Sequence, residues 1–120
     1  MPVQQIESLR VYGVATGLTL TGNEFDNALV GGAGSDTLLG GAQGDRFTFI
    51  NDWGNDTVAD FENRLDLIDL HGLSAPHGFD QLAITQLGAN VVITVAGVVG
   101  SSITIQNARV AQIDRNDFVF

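Results

Sequence analysis

The chain has 120 residues, 44% of them apolar, with 14 acidic and five basic side chains and a formal net charge of −9. That length suffices for one domain with one modest core, and so acidic a balance argues against binding a phosphate backbone, which needs Lys/Arg patches. Cysteine is absent, which removes disulfides, thiolate catalysis and thiolate zinc sites, and no run approaches the ~18 apolar residues of a membrane span.

Residues 1–12 (MPVQQIESLRVY) alternate weakly at Ile6, Leu9 and Val11. They read as a lead-in strand or as a cap over an open end. They lack the basic and apolar regions of a Sec-type signal.

From Gly13 to Asp60 a period of nine takes over. Residues 22–48 divide into GNEFDNALV, GGAGSDTLL and GGAQGDRFT. The middle block has Gly31, Gly32, Gly34, Asp36 and Leu38 at positions one, two, four, six and eight. Its successor keeps Gly40, Gly41, Asp45 and Phe47, and its predecessor keeps Gly22, Asn27 and Leu29. A copy slipped by two residues follows at NDWGNDTV, with Asp52, Gly54, Asp56 and Val58, and a worn copy precedes at residues 13–21, ending in Leu20 and Thr21.

Each block predicts six turn residues and a three-residue strand carrying one inward apolar side chain. Two blocks make one coil, so Leu38 stacks on Leu20 and Phe47 on Leu29, 18 residues apart, and Val58 on Leu38 after 20. The expected object is a parallel β-roll, two thin sheets back to back with turns along both edges. Asp36 and Asp56 then fall on one edge and Asn27 and Asp45 on the other. Asp66, 21 residues after Asp45, falls one slipped coil further on.

Strand spacing of about 4.8 Å brings stacked carboxylates to about 5 Å, where their repulsion at an effective dielectric of 20 is about 3 kcal/mol. A cation removes that cost. Glycines allow backbone carbonyls to converge on an ion, and oxygen-only ligation suits Ca²⁺. The expected ligands are Asp36, Asp56, Asp45, Asn27, Asp52 and Asp66, with the backbone of Gly31, Gly32, Gly34, Gly40, Gly41 and Gly54. They are expected to hold about two to four calcium ions. Nine of the 14 acids lie between Glu24 and Asp66, where this scheme places the metal.

After Asp60 the period is lost. Residues 60–70 read as a turn and a strand. Leu82–Thr85, Asn90–Ala96 and Ser101–Gln106 alternate with period two and predict an antiparallel meander, and residues 108–115 a helical turn. Phe47, Phe49 and Trp53 are large enough to pack where coil meets meander; an aromatic ligand platform is the alternative. A parallel coil needs an atypical end unit to cover its open face, and the meander can supply it.

The nonapeptide G-G-x-G-x-D-x-U-x is that of calcium-binding RTX repeats, and residues 13–120 resemble the C-terminal module of bacterial RTX proteins such as serralysin-type proteases, alginate epimerases and polysaccharide lyases. Two further features carry the resemblance. One is the D-F-x(5)-D-x-I-D-L pattern at Asp60, Phe61, Asp66, Ile68, Asp69 and Leu70. The other is the acidic-plus-apolar ending Asp117, Phe118, Val119 and Phe120. The resemblance implies an all-β fold, a short right-handed parallel β-roll capped by an antiparallel β-meander. No linker interrupts the sequence, so the chain reads as a single module over 1–120, with lead-in 1–12, roll 13–60 and cap 61–120. The resemblance also implies type I export read from residues 117–120, then folding outside the cell on calcium. Asn27 in place of Asp, Gln43 in place of Gly and the slip at 51–56 are departures that shorten the ladder of sites.

Other constellations fail on spacing. An EF-hand started at Asp52 would have Gly54 third, Thr57 sixth and Asn63 twelfth. Gly32 and Gly34 lack the third glycine of a dinucleotide fingerprint, and there is no lysine for a phosphate loop. His71 and His77 read as surface residues of a Gly/Pro loop. Glu24 and Glu62 would pair as acid and base only by accident of fold. The chain is therefore expected to be non-catalytic, with any activity in an upstream domain. Its expected partners are calcium and the type I secretion machinery, with no nucleic acid and no membrane span. The alternatives are an anionic-polysaccharide (alginate-like) binding module, for which five scattered arginines offer little, and a small calcium-dependent hydrolase.

Overall fold

A computed structural model describes residues 6–10, 19–22, 26–30, 34–41, 44–49, 54–62, 65–71, 78–98 and 100–120. Eleven strands fall among them: β1 (Ile6–Arg10), β2 (Thr19–Thr21), β3 (Asp26–Val30), β4 (Thr37–Leu39), β5 (Arg46–Thr48), β6 (Asn55–Val58), β7 (Leu67–Asp69), β8 (Leu82–Leu87), β9 (Asn90–Val95), β10 (Ser102–Ile105) and β11 (Phe118–Val119). Positions seven to nine of three blocks, Thr19–Thr21, Thr37–Leu39 and Arg46–Thr48, are strands in full. In the second and third of these blocks the six preceding residues, GGAGSD and GGAQGD, are glycine-rich and polar and poorly suited to extend the strand.

From β1 to β7 the chain alternates between two sheets, the course of a β-roll. One sheet has the order β1-β3-β5-β7-β11 and the other β2-β4-β6-β10-β9-β8. Every pairing in the first sheet is parallel. In the second, β2, β4, β6 and β10 are parallel and β10-β9-β8 antiparallel. The expected stacks are present: Leu20 pairs with Leu38, Leu38 with Val58, and Leu29 with Phe47. The parallel ladder runs beyond residues 13–60, since β1 joins β3 at one end and Ile68 of β7 follows Phe47 at the other.

The meander at 82–105 forms as expected, and it is inserted rather than appended. After β7 the chain builds the β8–β9 hairpin, and only then lays β10 parallel against β6 and β11 parallel against β7. The last two strands thus extend both sheets of the roll. Gln86 ties the hairpin to the descending chain. Its Nε2 donates to Asn90 O (3.0 Å) and Ala108 O (2.9 Å), and its Oε1 accepts from Val110 N at 2.9 Å. Residues 108–115 contain a single 3₁₀ turn, Val110–Gln112, and a second, Arg115–Asp117, leads into β11.

The core lies between the sheets. Leu29, Leu38, Phe47, Val58, Ile68, Val91, Ile93, Ile103 and Ile105 are fully buried in one cluster with Phe49 and Phe118. Phe47 and Phe49 therefore pack inside and form no exposed platform, while Trp53 lies outside the described residues. Among the described residues no helix is long and apolar enough to cross a membrane.

Truncating the central ring of this stack should be costly. Phe47→Ala is expected to lower stability by about 3–5 kcal/mol in urea titrations at saturating calcium. Leu87→Lys, on an exposed strand end, should stay within about 0.5 kcal/mol.

Candidate metal centre

Both edges of the roll carry stacked turns, and on both a carboxylate of one coil accepts the amide of the preceding coil's aspartate. Asp56 Oδ1 accepts from Asp36 N at 2.7 Å, and Asp66 Oδ1 accepts from Asp45 N at 2.8 Å. All four side chains are at most 2% exposed. The separations of 20 and 21 residues are those of one slipped coil. The backbone register continues Asp45 to Asn27 on the neighbouring strand, whose side chain is outside the described set, as are Gly31, Gly32 and Asp52.

The Asp45 edge is the more elaborate. Asp66 Oδ2 also accepts from Glu62 N at 2.7 Å. Carboxylate oxygens of Asp45, Glu62 and Asp66 lie within 4.8 Å of one another. Glu62 Oε1 is buried and has no hydrogen-bond partner among the described residues. Ligand oxygens on opposite sides of Ca²⁺, each about 2.3–2.6 Å from it, are about 5 Å apart, so the cluster fits a cation of that size. Asp60 completes the edge by clamping the facing turn: its Oδ1 and Oδ2 accept from Gly40 N and Gly41 N, each at 2.8 Å.

Four glycines of these turns are required by backbone conformation or by close approach. Gly41 has φ of 89°, the left-handed region that favours glycine. A side chain at Gly40 would collide with the Asp45 carboxylate. On the other edge Gly34 and Gly54 stack with φ of 87° and 76°, and a Cβ on Gly54 would sit 2.5 Å from Gly34 O.

Asp60 and Glu62 were not among the ligands expected from the repeat. Asp60 had a signal, since it lies 20 residues after Gly40 as Asp56 lies 20 after Asp36. Glu62 had none, because it occupies no position of the nonapeptide. His71 is exposed on this loop, and its amide donates to Asp69 Oδ1. Asp69 also meets Arg46 at 3.6 Å, the sole ion pair among the described residues. His77 lies outside them.

The C-terminal tetrapeptide is packed. Asp117 is buried and its Oδ2 accepts from Asp114 N at 2.8 Å. Phe118 is buried between the rings of Phe79 and Phe120, with centroids 5.7 and 5.8 Å away. Val119 O accepts from Leu70 N at 2.8 Å.

The electrostatics of the rows follow from burial. Desolvation pushes the Asp56 carboxyl up to about 7, against the Asp36 amide that favours its charged form and with the Asp36 charge adding to the rise. Desolvation likewise pushes Asp66 up to about 7, opposed by the amides of Asp45 and Glu62 and reinforced by their carboxylates. Burial also raises Asp117. A site that destabilises its own anions in this way gains from a divalent cation, which restores the charged form.

No family model and no curated protein sequence matches the chain. Solved structures do. The chain is similar to the extracellular lipase LipA of Serratia marcescens (TM-score 0.67, 23% identity), over 92% of its own length and 20% of the lipase. It is also similar to the AlgE6R3 subunit of the Azotobacter vinelandii mannuronan C5-epimerase (TM-score 0.65, 20% identity), over 98% of its length and 81% of that subunit. The chain thus spans about a fifth of the lipase. At these identities the likeness concerns the fold alone: an all-β fold of parallel β-roll sheets with acidic turns.

The raised carboxyls set a pH dependence of opposite sign with and without metal. Their unfolded values are near 3.9, so between about pH 4 and 7 the metal-free fold binds more protons than the unfolded chain, and its stability falls as pH rises through that window. In EGTA, the β signal in circular dichroism and the melting temperature should be higher at pH 5.5 than at pH 8. In calcium the order should reverse, because protons compete with the ion. A metal-free melt that rises toward pH 8 would contradict the burial assigned to Asp56 and Asp66.

Proposed function

We propose that the chain is a non-catalytic calcium-binding β-roll module of a secreted, extracellular protein, folding when the ion is supplied. The observation that carries this reading is the Asp45–Glu62–Asp66 cluster, with three carboxylate oxygens mutually within 4.8 Å. In this reading Asp45, Glu62 and Asp66 hold one ion, with the Gly40–Gly41 turn fixed beside them by Asp60. The Asp36/Asp56 edge, with the turn of Gly34 and Gly54, holds another, and Asn27 makes a weaker site beyond Asp45 because it offers one charge less. When bound, calcium supplies charge neutralisation and cross-linking of turns, and it adds about 2.7 kcal/mol per independent site at a hundredfold excess over Kd. Bringing Asp45, Glu62 and Asp66 together without it is opposed by burial of like charge.

The reading further holds that Asp117, Phe118, Val119 and Phe120 are read for type I export before folding and buried afterwards, and that catalysis belongs to an attached domain. The polysaccharide alternative lacks comparable support among the described residues, since Arg46, the cation of β5, is already met by Asp69.

Two experiments test this. Glu62→Gln and Asp66→Asn should each weaken calcium binding by calorimetry at least about tenfold, which is about 1.4 kcal/mol. Asp80→Asn, exposed in the 3₁₀ turn Phe79–Gln81, should leave binding unchanged, and equal effects at all three would remove the site. Deleting residues 117–120 strips β11 from β7 and Phe118 from its ring stack. It should lower the calcium-loaded melting temperature and also abolish export from a type I host. Normal export with an unchanged melt would reject the double role.

A further inference from the structure

Where the two 3₁₀ turns of the cap come down beside β7, they enclose a cavity of about 560 Å³. Three carboxylates line it, those of Asp66, Asp114 and Asp117, and no basic side chain does. Asp117 is 3% exposed, yet only one of its oxygens is engaged. Oδ2 accepts from Asp114 N, and Oδ1 has no hydrogen-bond partner among the described residues. A buried anionic oxygen without a donor is costly, and this one belongs to a wall of a space with room for one. Leu65 lines the same cavity and is 55% exposed, although a side chain of that size gains from burial.

The arrangement does not suit a second calcium ion. Among the described residues, the acidic side chains whose oxygens converge in a set of three within 4.8 Å are Asp45, Glu62 and Asp66. Asp66, Asp114 and Asp117 are therefore spread more widely. An ion with its ligands at about 2.3–2.6 Å would leave most of the cavity empty. The chain's own described arginines do not fill it either. Arg46 meets Asp69, and Arg115 lines a separate cavity beside Phe79.

We propose that this cavity binds an alkylguanidinium group, the chemistry of an arginine side chain or of a free guanidino compound. A guanidinium is a planar cation with five N–H donors, broad enough to bridge carboxylates that stand too far apart to share a metal ion. It is more weakly hydrated than an ammonium, so it enters a half-closed site at lower cost. Asp117 Oδ1 is the acceptor left open for it. Asp66 and Asp114 add negative charge while keeping the amide hydrogen bonds that order their turns. Leu65 and Leu67 supply an apolar wall for the methylene stem. The ligand is distinct from the calcium of the roll, and neither Asp114 nor Asp117 is assigned to that ion.

The test uses the full chain in saturating calcium, with circular dichroism showing that it is folded, and butylguanidinium as the probe in calorimetry. The probe should bind at one site, more tightly than guanidinium without the stem and than butanol without the charge. Asp114→Asn and Asp117→Asn each keep an acceptor oxygen for the turn and remove one charge. Each should weaken the probe at least about tenfold and leave the calcium titration unchanged. Asp80→Asn should have no effect. A peptide with a central arginine and blocked ends separates the two sources. Binding of that peptide assigns the cavity to a protein's arginine side chain, and binding of the free probe alone assigns it to a diffusible compound. A folded, calcium-loaded chain that takes up no probe at millimolar concentration would overturn the proposal. So would equal loss in Asp80→Asn, or displacement of the probe by further calcium, which would make the cavity a metal site.

Discussion

A single contact recurs down both edges of the roll: a buried carboxylate accepting the backbone amide of the aspartate one coil earlier. It appears as Asp56 on Asp36 and as Asp66 on Asp45. The contact does two opposed things. It registers successive coils, because an amide–carboxylate bond is directional and charge-assisted. It also stacks like charges where water is excluded, and burial drives Asp56 and Asp66 toward neutrality. The same bond that builds the coil therefore leaves it short of positive charge, and no lysine exists to supply it. Stability becomes conditional on pH or on a cation. That conditionality follows from geometry before any function is assigned.

Much of this was legible because the repeat is short and its punctuation strict. Six turn residues followed by three strand residues leave little freedom, and the strands at 19–21, 37–39 and 46–48 follow directly. The stacking of Leu38 on Leu20 and Phe47 on Leu29 is the same arithmetic. Even the slip at 51–56 preserved the edge assignment, since Leu38 still meets Val58. What escaped was what depends on a non-periodic neighbour. Glu62 joins Asp45 and Asp66 because the longer turn between β6 and β7 folds back on itself: the Leu65 and Asp66 amides donate to Glu62 O at 3.0 and 2.9 Å. Nothing in a nine-residue template encodes that.

The insertion of the hairpin was also invisible to local pattern. Alternation identifies β8, β9 and β10 as strands, and short turns make them antiparallel neighbours. Neither signal says that β10 lies against β6, a pairing 47 residues distant in sequence (Asn55 with Ser102). The physical reason lies in the edge it covers. β6 presents an unpaired backbone once the repeats stop, and an exposed parallel edge invites association with other chains. β10 satisfies that edge with Ser102 N on Gly54 O and Gln106 N on Val58 O, both at 3.0 Å.

The way the roll stops bears on why its acidic rows are short. On the second sheet the residue paired with Asp56 on the following strand is Ile103, so the row of carboxylates ends against an isoleucine that is itself fully buried. A further aspartate there would add another like charge about 5 Å away, at about 3 kcal/mol by the same dielectric estimate. On the other edge Asp114 and Asp117 line one cavity with Asp66, but both are engaged in their own turn: Asp114 Oδ1 accepts from Asn116 N at 2.9 Å, and Asp117 Oδ2 from Asp114 N. They close the 3₁₀ turn that sets β11 on β7. The cap thus substitutes an apolar side chain on one edge and self-contained hydrogen bonds on the other for the carboxylate row. Packing can then continue for one more strand on each sheet without another cation.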